Sequence, residues 1–153
     1  MPKLEEMLKS KPISDPYHRI VIHIMYTGYW VLSQITLMLK TEDITEPQYN
    51  VLRILRGQHG KPMSLIEIQD RMIQKMSNVS RLVDKLMSKE LVVRQSCDEN
   101  RRKVNILITP MGMDLLGRLE QPVSDLIHNL TGHLALTETT ELGRLLAKIH
   151  PEK

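Results

Sequence analysis

Apolar positions along this chain recur mostly at helical spacing, interrupted by one interval of strict alternation. Between residues 16 and 40, Ile, Val, Leu and Met crowd most of the circumference of a predicted helix, with Asp15 as its N-cap and Pro16 at its first position. Thr45 and Gln48 form a capping-box pair ahead of the stripe Val51, Leu52 and Leu55, and Gly57 and Gly60 end that helix. Ser64 and Glu67 repeat the device before Leu65, Ile68 and Met72, predicting a short helix that closes near Ile73. From about Lys75, the residues Val79, Leu82, Val83 and Leu86 fall on one helical face, leaving Ser77, Asn78, Arg81, Asp84, Lys85 and Ser88 on the other. The period then drops to two. Val92, Arg94 and Ser96 alternate with Val93, Gln95 and Cys97, and beyond a polar turn Val104, Ile106 and Ile108 alternate with Asn105 and Leu107, which predicts a hairpin. Thr109 and Pro110 open a helix whose stripe of Leu116, Leu119, Val123, Leu126, Ile127 and Leu130 continues across Pro122, with a kink expected between residues 117 and 122. A last helix, over about residues 137–150, aligns Leu142, Leu145, Leu146 and Ile149.

Two short helices followed by a hairpin, over residues 64–112, are the parts of a winged helix-turn-helix. The expected fold is therefore mostly α with a small β-hairpin wing, in one domain of 153 residues. Residues 45–112 or so make the reading part, and residues 1–44 and 113–153 supply helices more apolar than the reader needs, which suits dimerisation. Residues 20–39 contain no Asp, Glu, Lys or Arg, a length that would span a bilayer. That run also holds His23, Thr27, Gly28, Ser33, Gln34 and Thr36, and it has no second apolar span for company. Burial against a second copy of the chain fits it better than a membrane.

Composition agrees with packed helices: 41% of residues are apolar, Phe is absent and aromatics make up 3%. The net charge of +3 is modest, but residues 71–103 carry nine Lys or Arg against four acids, so positive charge gathers on the reading part. One cysteine makes no intramolecular disulfide, and residues 1–11 lack the apolar core of a signal peptide, so a cytoplasmic location is expected.

These groups suit double-stranded DNA. Short polar side chains near the start of a groove-bound helix reach base edges, which nominates Ser77, Asn78, Ser80 and Arg81, although Ser80 falls equally on the packing face. Lys75, Lys85 and Arg94 are placed to hold phosphates. Arg102, flanked by Arg101 and Lys103 at the hairpin tip, is the candidate for the minor groove. Cys97 lies near Arg94 and Arg101, which could favour its thiolate, leaving open either a redox role or none. His23, Tyr26, Trp30 and Tyr49 combine apolar walls with polar tips and fit either an effector pocket or plain core and interface. His18 and His23, like His128 and His133, are five residues apart and do not share a helical face, so neither metal nor cofactor is expected. No nucleophile with its base, carboxylate pair or glycine-rich phosphate loop points to an enzyme. A winged-helix module that binds protein and not DNA is the alternative.

Residues 45–116 or so resemble the multiple antibiotic resistance regulator (MarR) family of winged-helix transcription factors. The pieces carrying the resemblance are ITEPQYNVLRIL, SNVSRLVDKL, LVVR, NRRKV and ITPMG. It implies a homodimer with interlocked terminal helices, a recognition helix in each half of an inverted-repeat operator, and mostly repressor activity. It also implies release by a small aromatic or anionic effector or by cysteine oxidation. Two positions depart from the family pattern. Asn100 stands where the wing has an aspartate, with Asp98 and Glu99 as nearby substitutes, and Glu90 stands where a glycine follows the recognition helix. A helix end of different shape is expected there.

Overall fold

The computed structural model describes residues 4–75, 77–97 and 100–150, with side chains at all of these except 96–104. A short helix α1 (Leu4–Leu8) that no periodicity announced precedes the long helix α2 (Pro16–Leu39). Leu4 is buried, and the Glu5 carboxylate meets Arg19 Nε at 3.0 Å, tying α1 to α2. The Asp15 side chain caps α2 as expected, accepting the N–H groups of Tyr17 and His18 at 3.1 and 3.2 Å.

A 3-10 turn (Lys40–Glu42) follows, and Asp43 closes it in the left-handed region at φ 53°. Helix α3 (Glu46–Arg56) opens with the predicted capping interaction: Gln48, itself buried, accepts the Thr45 N–H at 2.9 Å. Strand β1 (Met63–Ser64) leads into α4 (Leu65–Arg71), where the Ser64 N–H donates to Glu67 at 2.8 Å. Then come α5 (Val79–Ser88), β2 (Val92–Cys97), β3 (Asn100–Ile108), α6 (Pro110–Thr131, continuous through Pro122) and α7 (Leu136–Ala147).

The sheet has the order β1-β3-β2, antiparallel throughout, with Met63 opposite Ile106 and Val92 opposite Ile108. Two residues are too few to show a period, which is why β1 was not legible. The hairpin register shifts between Ser96 and Cys97, which interrupts the ladder at that point.

Two helix boundaries differ from expectation. Helix α4 stops at Arg71 because Met72 turns extended and buries its side chain. Helix α5 begins at Val79, not near Lys75, because Asn78 takes the non-helical N-cap position. The end of α5 corrects a third expectation. Glu90 adopts φ 59° despite its side chain, the Leu91 N–H reaches the Leu86 carbonyl at 3.0 Å, and the Glu90 N–H reaches Met87 at 2.9 Å. This is the Schellman arrangement that a glycine would make, and the helix end keeps the usual shape.

The main core joins α3, α4, α5, the sheet and the first half of α6, and every member of it lies from Leu39 to Leu119. Gly112 sits where α6 crosses Leu91 so closely that a Cβ would lie 2.4 Å from the Leu91 carbonyl oxygen.

Candidate DNA interface

Helices α4 and α5 with their intervening turn make the helix-turn-helix. Val79, Val83 and Leu86 bury one side of α5 in the core, and this fixes which face looks outward. Ser77, Asn78, Ser80, Arg81, Asp84 and Lys85 are all exposed on that face or just ahead of it. Lys75 and Ser77 precede the helix, in the turn, and are exposed as well. The turn is held from behind, where the Asn50 side chain on α3 accepts the Ile73 N–H at 3.1 Å.

Asn78 makes no capping bond with its side chain, which leaves its amide free to point outward. Among the described residues, Lys75, Arg81 and Lys85 have no ion-pair partner. Arg94 differs. Its guanidinium donates to Asp84 at 2.6 Å and to the Ser80 hydroxyl at 3.5 Å, so it clamps β2 onto α5. The sequence offered Arg94 for phosphate contact, yet only side-chain geometry could reveal that Asp84 engages it. The side chains of Arg101, Arg102, Lys103, Cys97 and Asn100, and all of Asp98 and Glu99, lie outside the described residues.

Behind the reader, the Lys89 ammonium meets the Asp43 carboxylate at 2.7 Å and also donates to the Asp43 backbone carbonyl. Hydrogen bonding from Lys89 holds the Asp43 carboxyl below the usual carboxylate range. Next to it, Glu42 accepts from Arg118 on α6 at 2.9 Å, an interaction that raises the Arg118 pKa.

A cleft of about 290 Å³ opens between α3 and α6. Its cations are Arg53 and Arg56, opposed by Glu120; His128 also lines it, and Val123 and Ile127 give apolar wall. Arg53 donates to the Tyr49 hydroxyl at 3.1 Å and lies 5.7 Å from that ring's centre. Of the residues suggested for an effector, Tyr49 lines this cleft, whereas His23, Tyr26 and Trp30 do not. On α2, His23 and Tyr26 are half-buried and Trp30 is exposed. The part of α2 that reaches the core is its far end, at Ile35, Met38 and Leu39, and Trp30 lies about 13 Å along the helix from Leu39. The arginines were available to sequence reasoning, since Arg53 and Arg56 follow Tyr49 at i+4 and i+7 on one face.

A helix-turn-helix whose second helix turns an exposed polar face outward, followed by a β-hairpin, defines a winged-helix protein. Residues 44–104 match the model of the MarR family. A MarR transcription factor from Planctomyces limnophilus is 31% identical, with a TM-score of 0.70 over 89% of this chain and 98% of that one. A mutant MarR from E. coli, solved in complex with operator DNA, is 26% identical with a TM-score of 0.78, covering 90% of this chain and all of that one. The transcriptional repressor MprA of Escherichia coli K12 is 25% identical over 151 residues, which is 95% of this chain and 86% of that protein. The chain belongs to the MarR family. Its relatives are transcriptional regulators and not enzymes.

Proposed function

We propose that this chain is a transcriptional repressor that binds an inverted-repeat operator as a homodimer, in the cytoplasm. The observation that carries the reading is the outward face of α5, where Arg81 and Lys85 stand unpaired among the described residues beside Ser77, Asn78 and Ser80. Arg81, Asn78 and the two serines address base edges, and Lys75 and Lys85 neutralise phosphates. Arg94 serves the same face indirectly by holding the wing strand to the helix. The hairpin tip, with Arg101, Arg102 and Lys103, reaches the adjacent minor groove. The operator complex of the E. coli MarR mutant supports DNA as the partner.

The division of labour follows the core: roughly residues 45–112 read, and the flanking helices pair two copies. Helix α2 with its following turn (Pro16–Glu42) is long and apolar enough to cross a bilayer, but it exposes Ile20, Val21, Ile24 and Met25 just as α6 exposes Ile127 and α7 exposes Leu142, Leu145 and Leu146, so all three helices leave apolar surface uncovered within the chain. A second copy of the chain is the occupant proposed for that surface. The α3–α6 cleft, with two arginines, a tyrosine and apolar walls, is proposed to take a small aromatic anion that lowers DNA affinity.

Titration of wild-type protein against duplexes selected from random sequence tests the reading. Inverted repeats should be recovered, and affinity should fall steeply with salt as bound phosphates release counterions. Binding without symmetry or salt dependence would refute it. At fixed salt, Arg102→Ala should weaken operator binding by at least about 1 kcal/mol.

A further inference from the structure

We propose that Glu42 and Asp43 form a positioning knuckle that sets the recognition helix against the helical scaffold, with Asp43 gripping Lys89 at the end of α5 and Glu42 gripping Arg118 on α6. This inference rests on the DNA-binding reading above and adds a determinant of operator geometry to it.

The backbone of the knuckle is anchored on both sides, while the Asp43 carboxylate itself is exposed. Leu39 before it and Ile44 after it are both buried in the core. Between them the backbone closes twice, with the Asp43 N–H on the Lys40 carbonyl at 3.1 Å and the Ile44 N–H on the Leu39 carbonyl at 3.4 Å. The left-handed conformation of Asp43 presents its carbonyl and its carboxylate to the same lysine. Lys89 is the C-cap of α5, so the grip falls at the far end of the helix from the residues that meet bases.

That position gives leverage. Val79 and Lys89 are about 15 Å apart along the helix, so a tilt of about 5° at the knuckle moves the reading end by roughly 1.3 Å. A hydrogen bond to a base edge does not survive such a shift unchanged. Because the neighbouring carboxylate holds α6, the same turn relates α5 to a helix of the proposed dimer scaffold, and hence to the spacing of two half-sites.

A different role for Lys89 makes the opposite prediction. Were it a phosphate contact restrained by Asp43, removing the carboxylate would release it and tighten binding.

The test compares wild-type protein, Asp43→Asn, Lys89→Gln and the double variant on three operators: the preferred one and two with a base pair added or removed at the centre. Asparagine tolerates the left-handed backbone, so Asp43→Asn removes charge and spares the turn. Each single variant should bind the preferred operator roughly two- to five-fold more weakly, with the salt dependence of wild type. Discrimination against the altered spacings should shrink, and the double variant should be no worse than either single one. Tighter binding by Asp43→Asn, a salt slope reduced by about one in Lys89→Gln, or equal weakening on all three operators would each overturn the knuckle. A DNA-free measurement separates its failure from that of the DNA reading. Amide exchange at Lys89, Glu90 and Leu91 should quicken in Asp43→Asn, and unchanged exchange overturns the knuckle even if wild-type protein binds operator as proposed.

Discussion

The reading part and the flanking helices are both rich in Leu, Ile and Met, yet they dispose of them in opposite ways. In the reader, α3, α4 and α5 each turn their apolar stripe inward, and the main core is closed from Leu39 to Leu119 within one chain. Outside those limits, α2 contributes no buried residue before Leu39, α6 none after Leu119, and α7 none at all. Tyr17 is 81% exposed and Leu136 84%, with Leu142, Leu145 and Leu146 open on the same last helix and Ile149 open just beyond it. Large apolar side chains left open in such number on three helices mark surface that meets a partner. The reader draws stability from its own packing, whereas under the proposed pairing of two copies the flanks would gain theirs by association, and their order would then depend on protein concentration.

The sharpest way to break this comparison is at α7. Replacing Leu142 and Leu145 together by Glu should abolish self-association and cut operator affinity at least about 100-fold, since two carboxylates would be buried without partners. Light scattering after gel filtration checks the first and a DNA titration the second. A double variant that stays dimeric would show that these helices meet something else.

Within the reader the expected effect is smaller and of another kind. Gly112→Ala places a methyl 2.4 Å from the Leu91 carbonyl oxygen and 2.8 Å from Ile108 Cγ1, which should cost about 1–3 kcal/mol in denaturant unfolding. The mass of the assembly at high concentration should be unchanged. Wild-type stability in this variant would mean that the reader is packed more loosely than its closed core suggests.

The smallest effect has the opposite sign. Glu90 holds a left-handed backbone at φ 59°, so Glu90→Gly should stabilise the reader by about 1 kcal/mol, with no effect on association. Destabilisation would show that the Glu90 side chain does more than tolerate its position.

Much of the reader was legible because its signals are local. Capping residues Asp15, Thr45, Ser64 and Thr109 lie next to the helices they start, and the inward stripe of α5 follows from spacing alone. Where a local signal met a tertiary one, the tertiary one decided. Asn78 delays α5 to Val79, Met72 leaves α4 early to enter the core, and Glu90 takes the glycine conformation because Leu86 and Leu91 bury together around it.

The candidate site divides the same way. The exposed face bearing Ser77, Asn78, Arg81 and Lys85 could be read from periodicity, because burying Val79, Val83 and Leu86 leaves a helix no choice of outer face. The partners of Arg94 and Lys89, at sequence separations of 10 and 46 residues, could not, because a charge pairs with whatever the fold brings within reach. The α3–α6 cleft arises likewise from packing two distant helices. The longer helices, the hairpin and the outward polar face of α5 were written in neighbours a few residues apart, whereas α1 and the exact ends of α4 and α5 were not. Tertiary structure alone settles which cations, among the described residues, stand unpaired and which are engaged, and which apolar stripes find their cover within the chain. Electrostatic pairing and burial depend on distance in space, and chain separation does not encode it.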